Sequence, residues 1–100
     1  MYIAMNRFKV IPGQESVFEE AWRERQSYLD DVPGFLRFNL LKGPGNDEFT
    51  LYASHSQWES RDAFKAWTKS DAFEKAHGRT SSTKKTLVGH PHFEGFDAIL

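Results

Sequence analysis

The chain has 100 residues, with 13 basic and 14 acidic side chains and a formal charge of −1. That near-neutral balance leaves no electrostatic footprint for a phosphate backbone and excludes nucleic acid as the expected partner. The absence of cysteine removes disulfides, thiolate metal sites and cysteine nucleophiles together, and suits a reducing compartment, the cytoplasm.

Aromatic residues make up 15% of the chain, more bulk than a thin core of this size requires, so a partner subunit or a flat ligand is expected to use some of it. Met1 leads directly into a strand-like run without a basic and apolar leader, and no apolar stretch is long enough to cross a bilayer. The expectation is a soluble protein with no membrane partner.

Tyr2 to Val10 alternates, placing Tyr2, Ala4, Asn6, Phe8 and Val10 on one side and Ile3, Met5, Arg7 and Lys9 on the other. This is a strand with one polar intruder, Asn6. Pro12-Gly13 breaks it, and from Gln14 the residues Val17, Phe18, Ala21, Trp22, Tyr28 and Leu29 recur at helical spacing, predicting a helix of about four turns. Val32-Pro33-Gly34 stops that helix.

Two strand-like runs follow, FLRFNLLK and FTLYASH, and Gly43-Pro44-Gly45-Asn46-Asp47 between them has the composition of a hairpin connection. His55 ends the second run and reads as a loop residue. Ser56 with Glu59 reads as a capping box that opens a second helix bearing Trp58, Phe64 and Trp67. Ser70 reads as a second N-cap, with Asp71 and Glu74 in a new first turn and Gly78 at its C-terminal end. A polar, mildly basic loop, RTSSTKKTLVGHPH, leads to the last strand, FEGFDAIL. Without an internal repeat or a linker, residues 1–100 are expected to form one domain.

The order strand, helix, strand, strand, helix, strand predicts an α+β, ferredoxin-like βαββαβ fold, with both helices on one face of a four-stranded antiparallel sheet. Leu36, Phe38, Leu40, Tyr52, Phe96 and their alternating neighbours cannot all face the helices. A second copy packed sheet to sheet is the economical cover, which predicts a two-fold homodimer.

Three residues stand apart: Asn6, Trp67 and His77. On one straight helix Trp67 and His77 would be roughly 15 Å apart along the axis and about 80° apart around it. A break at Ser70 lets both address one cavity, which Asn6 also faces. Taken singly, each has an ordinary reading, as a satisfied buried amide, a core indole and a helix-end histidine. Trp22 and Trp58 read as packing between helices and sheet. His90-Pro91-His92 lacks an acidic or thiol partner and reads as loop.

The strand bearing Asn6, the W-x-x-S-x-x-F-x-x-A-H stretch from Trp67 to His77 and the order of elements together resemble the IsdG-type haem-degrading monooxygenases, in the antibiotic biosynthesis monooxygenase (ABM) superfamily of dimeric ferredoxin-like proteins. The resemblance spans nearly the whole chain. It implies that His77 ligates haem iron, that Asn6 hydrogen-bonds near bound dioxygen and that Trp67 distorts the macrocycle. Arg79, Lys84 and Lys85, in the basic loop 79–92, read either as solvated charge or as partners of the haem propionates.

The implied reaction oxidises haem, at once substrate and prosthetic group, with dioxygen and external electrons to an open-chain tetrapyrrole, releasing iron. The electrons would come from a reductase or a small reductant, because no flavin or nicotinamide fingerprint is present and the glycines sit in Pro-Gly turns. Two alternatives stay open: a cofactor-free monooxygenase of the same superfamily acting on aromatic polyketides or quinols, and a non-catalytic haem carrier or sensor.

Overall fold

A computed structural model describes residues 1–25, 29–71, 73 and 85–100. The alternation of the first ten residues becomes β1 (Tyr2–Val10), and Pro12-Gly13 turns the chain into α1 (Glu15–Arg25). Then come β2 (Phe35–Gly45), β3 (Thr50–Trp58), α2 (Arg61–Thr68) and β4 (His92–Asp97). The strands form one antiparallel sheet in the order β2-β3-β1-β4, the ferredoxin-like arrangement.

Register decides which side chains meet. Phe8 lies opposite Tyr52, Asn6 opposite Ser54 and Phe93, and Ala4 opposite Ser56 and Gly95, all on the helix-covered face. Under α1, Phe8, Val10, Phe18 and Tyr52 form one buried cluster. Under α2, Tyr2, Ala4, Leu29 and Trp58 form another, against which Ala63, Phe64 and Trp67 pack. Trp22 and Trp58 thus lie between helices and sheet, as the sequence predicts. Ile3, Met5, Leu51, Ala53 and Phe96 share the opposite face with Arg7 and Glu94, which pair at 2.6 Å. Neither helix covers that face, and Leu41 and Phe96 on it remain 43% and 46% exposed.

Several boundaries differ from the sequence reading. α1 has 11 described helical residues, and the expected final turn falls partly on residues 26–28, outside the described set. β2 runs through Gly43-Pro44-Gly45, so the hairpin loop is the shorter stretch beginning at Asn46, whose Oδ1 accepts from the amides of Glu48 and Phe49 at 2.7 and 2.9 Å. Pro44 is tolerated because β2 is an edge strand, with register shifts between Phe35 and Arg37 and between Lys42 and Gly45.

Ser56 is not a cap. It sits inside β3, donates to the Ala4 carbonyl at 3.3 Å and accepts from Trp58 Nε1 at 2.9 Å. Ser60 caps α2 instead, its extended backbone placing Oγ to accept from the Ala63 amide at 3.1 Å. His55 lies in mid-strand, paired with Met5 and Asn39 on the uncovered face, away from the helices. The end of the basic loop is pinned to β1, with Ile11 N donating to Thr86 O and Val88 N to Lys9 O, each at 2.7 Å. Among the described residues, no helix is long and apolar enough to cross a membrane.

Candidate active site

Between the sheet and α2 lies a cavity of about 390 Å³, within the usual range for small-molecule sites. Its floor is the helix-facing side of β1 and β3, where Ala4, Asn6, Ser54 and Ser56 are small enough to leave room. Aromatic rings make most of the rest: Trp22, Phe38, Trp58, Phe64, Trp67 and Phe73, with Phe93 from β4. Trp67 leans on Trp58 with ring centroids 5.3 Å apart and meets Phe73 edge-on at 4.9 Å. Phe93 stacks on Phe64 at 5.8 Å with only 8° between the planes. Interlocked rings of this kind hold their rotamers against one another, so the wall is stiff.

The expected helix break is present. Lys69 N donates to Ala66 O at 3.2 Å and Ser70 N to Trp67 O at 2.9 Å, tightening the last turn of α2. Ser70 Oγ donates to the Trp67 carbonyl at 2.6 Å and accepts from the Phe73 amide at 3.2 Å, making Ser70 the cap of a second turn. That step carries Phe73 back against Trp67 and onto the cavity wall.

Of the residues singled out in the sequence, Asn6 and Trp67 meet at this cavity although they are 61 positions apart. No described residue hydrogen-bonds the Asn6 carboxamide, which leaves both its donor and its acceptor available to a guest. His77 and Arg79, and with them Lys84, Glu74 and Gly78, lie outside the described residues. Lys85 is described and exposed. Among the described lining residues none is titratable near neutral pH. That wall can bind, orient and exclude water, but it holds no general acid or base.

Phe73, Phe93 and Ser54 escaped the sequence reading as cavity residues. The W-x-x-S-x-x-F pattern could have flagged Phe73, since a capped turn after Ser70 brings it back toward Trp67. Phe93 had no local signal, because only the pairing of β1 with β4 sets it opposite Asn6.

Comparison with known proteins agrees with this architecture. A heme-degrading monooxygenase of Listeria welshimeri is 43% identical over 58 residues, which cover 57% of this chain and 48% of that one. The chain thus spans about half the length of the Listeria relatives it matches. The solved structure of the heme-degrader MhuD from Mycobacterium tuberculosis, with two hemes bound in its active site, superposes with a TM-score of 0.77 at 27% identity, covering 100% of this chain and 97% of that one. SnoaB of Streptomyces nogalater, a cofactor-independent oxygenase, superposes with a TM-score of 0.76 at 22% identity over 99% of this chain and 93% of its own, a likeness of fold alone. The family model described as antibiotic biosynthesis monooxygenase matches residues 1–79, the stretch that contains Asn6, Trp67 and His77, and the chain belongs to that family.

Proposed function

We propose that this protein is a haem-degrading monooxygenase, a single domain over residues 1–100 that takes haem as its substrate and opens the porphyrin to a linear tetrapyrrole with release of iron. One observation carries the reading: Asn6 and Trp67 line the same aromatic cavity, together with Phe73, which precedes His77 by four residues in sequence. The described residues fit the group. Flat apolar rings suit a macrocycle, and contact with them contributes about 25 cal/mol per Å² buried toward the cost of deforming it. The heme-degrading relatives support the choice of guest.

Bound haem supplies the iron at which dioxygen, the co-substrate, is activated with electrons from a reductase or a small reductant. His77 would hold the iron through a neutral imidazole nitrogen. The Asn6 carboxamide would offer bound dioxygen a hydrogen bond without a titratable proton. The Trp67 indole, braced by Trp58 and Phe73, would press on the macrocycle, and Arg79 would pair with a propionate. The working form is a homodimer closed through the uncovered sheet face, where Ile3, Met5, Leu41, Leu51 and Phe96 await a partner. A cysteine-free chain of this kind suits the cytoplasm.

Titration of the purified protein with haem tests the reading. It requires a Soret band of a histidine-ligated complex that His77→Ala abolishes. Ascorbate in air must then bleach that band, with an open tetrapyrrole in the mass spectrum. Absence of the band would leave the cofactor-free oxygenase acting on a quinol or aromatic substrate, and a band stable to reductant and air would make the protein a haem carrier or sensor.

A further inference from the structure

Trp22 lines the main cavity and also a second, more polar recess of about 310 Å³, bounded by Glu19, Arg23, Lys42 and Tyr52. From Trp22 a file of rings leads through the core. Trp22 stacks with Phe18 at 6.1 Å and 23°, and Phe18 stacks on Tyr52 at 4.9 Å and 19°. The Tyr52 ring is buried, and its hydroxyl donates to Glu19 Oε2 at 2.5 Å, the length of a charge-assisted bond. The Glu19 side chain is 30% exposed, with Arg23 Nη2 3.7 Å from one oxygen and Lys42 Nζ 3.9 Å from the other. Core packing accounts for stacked rings. It does not call for an oxidisable ring at each end of the file, nor for a carboxylate as acceptor of the buried hydroxyl.

We infer that Trp22, Phe18, Tyr52 and Glu19 form a redox relay, an outlet that passes one-electron oxidising equivalents from the cavity wall to the protein surface. The inference rests on oxidative chemistry in the cavity, as proposed above, with a hydroxyl radical, left when one-electron reduction breaks the O–O bond of a peroxide, formed there as a by-product. In the first step one electron leaves the Trp22 indole for that radical, which becomes hydroxide, and the indole becomes a radical cation. In the second, one electron passes from Tyr52 across Phe18 to Trp22 while the Tyr52 O–H bond breaks and its proton bonds to Glu19 Oε2. Trp22 is restored, Tyr52 becomes a neutral phenoxyl radical and Glu19 a neutral acid, so the cation and the carboxylate charge disappear together. The external reductant then returns one electron to Tyr52, and Glu19 returns the proton. Phe18 bridges without being oxidised, and the Glu19 carboxylate is within direct reach of the proton it takes.

Pulse radiolysis of the full chain without haem tests the relay, with the azide radical oxidising tryptophan. The expected record is a first-order decay of the indole radical matched by a rise in tyrosyl absorption, independent of protein concentration. Tyr52→Phe, which keeps the ring, is expected to cut that rise at least tenfold, and Trp22→Phe to do the same. Glu19→Gln, on a partly exposed side chain, is expected to slow it at least tenfold because a carboxamide does not take the proton. Tyr2→Phe is expected to leave it unchanged. A full rise in Tyr52→Phe, or an unaltered rate in Glu19→Gln, overturns the relay. Since no haem is present, failure of the haem-degrading reading would leave this result standing, and the reverse also holds.

Discussion

Gly34 ends the connection between α1 and β2 at φ +80°, and its carbonyl accepts from the Glu59 amide at 2.8 Å. A Cβ added there would lie 2.5 Å from Ala63 Cβ, on the first turn of α2. Gly34→Ala therefore meets two separate penalties. Holding alanine in the left-handed region costs roughly 1–2 kcal/mol. The overlap with Ala63 adds about 1–3 kcal/mol, since neither backbone can retreat without moving an element. Reduced freedom of the unfolded chain returns about 0.4–1 kcal/mol. The net expectation is a loss of about 1–4.5 kcal/mol in urea unfolding. Ala63→Gly alone costs at most about 1 kcal/mol, the figure for a glycine in a helix interior. In the double variant the overlap disappears while the backbone penalty persists, so the cycle should show a coupling of about 1–3 kcal/mol in favour of the pair. Trp67 stands four residues beyond Ala63 on the same helix face, so Gly34→Ala should also weaken haem binding, and Ala63→Gly should restore part of it. Additivity of the two substitutions within about 0.5 kcal/mol would refute the steric argument.

Three further outcomes follow from the site and its surroundings. Trp67→Phe keeps an aromatic wall but shortens it, and should preserve the Soret titration while lowering single-turnover degradation roughly tenfold, about 1.4 kcal/mol of barrier; equal rates would remove Trp67 from the mechanism. Asn6→Ala should bind haem and degrade little of it under ascorbate and air, and full activity would count against a role on the oxygen side. Burial, and after it the hydrogen bond to Glu19, hold the Tyr52 phenol above the usual tyrosine range. The unfolded chain then ionises this tyrosine first, at about pH 10, so the stability the protonated phenol provides is intact below that pH and lost above it at about 1.4 kcal/mol per pH unit. Urea unfolding at about pH 8 and about pH 11 should show Tyr52→Phe losing less stability than the parent chain, and equal losses would refute the assignment.

Period-two alternation made β1 legible in the sequence, including the side to which Asn6 belongs, because one strand face had to be buried whatever its partners. The break after Trp67 was legible too, since Ser70 carries a side chain that caps a turn locally. What failed were places where a local signal met a distant competitor. Ser56 and Glu59 have capping-box spacing, yet Ser56 is held in β3 by its pairing with Ala4 and Phe38, and the cap moves on to Ser60. Gly43-Pro44-Gly45 has turn composition, but an edge strand needs amides on one side only, so the strand continues through it. His55 fell to the same cause: β3 extends past it. The other cavity walls, Phe93, Phe38 and Trp22, are brought together by register and helix docking, which no stretch of sequence encodes by itself.

The shape of β2 has a consequence for crowded solutions. With a proline in its outer rim and two irregular steps along its length, that rim offers an incoming strand an interrupted row of amides rather than a continuous template. Growth of the sheet by lateral addition is thereby disfavoured on this flank. Stacking two identical faces ends with the pair, whereas zippering at a rim would continue into fibrils.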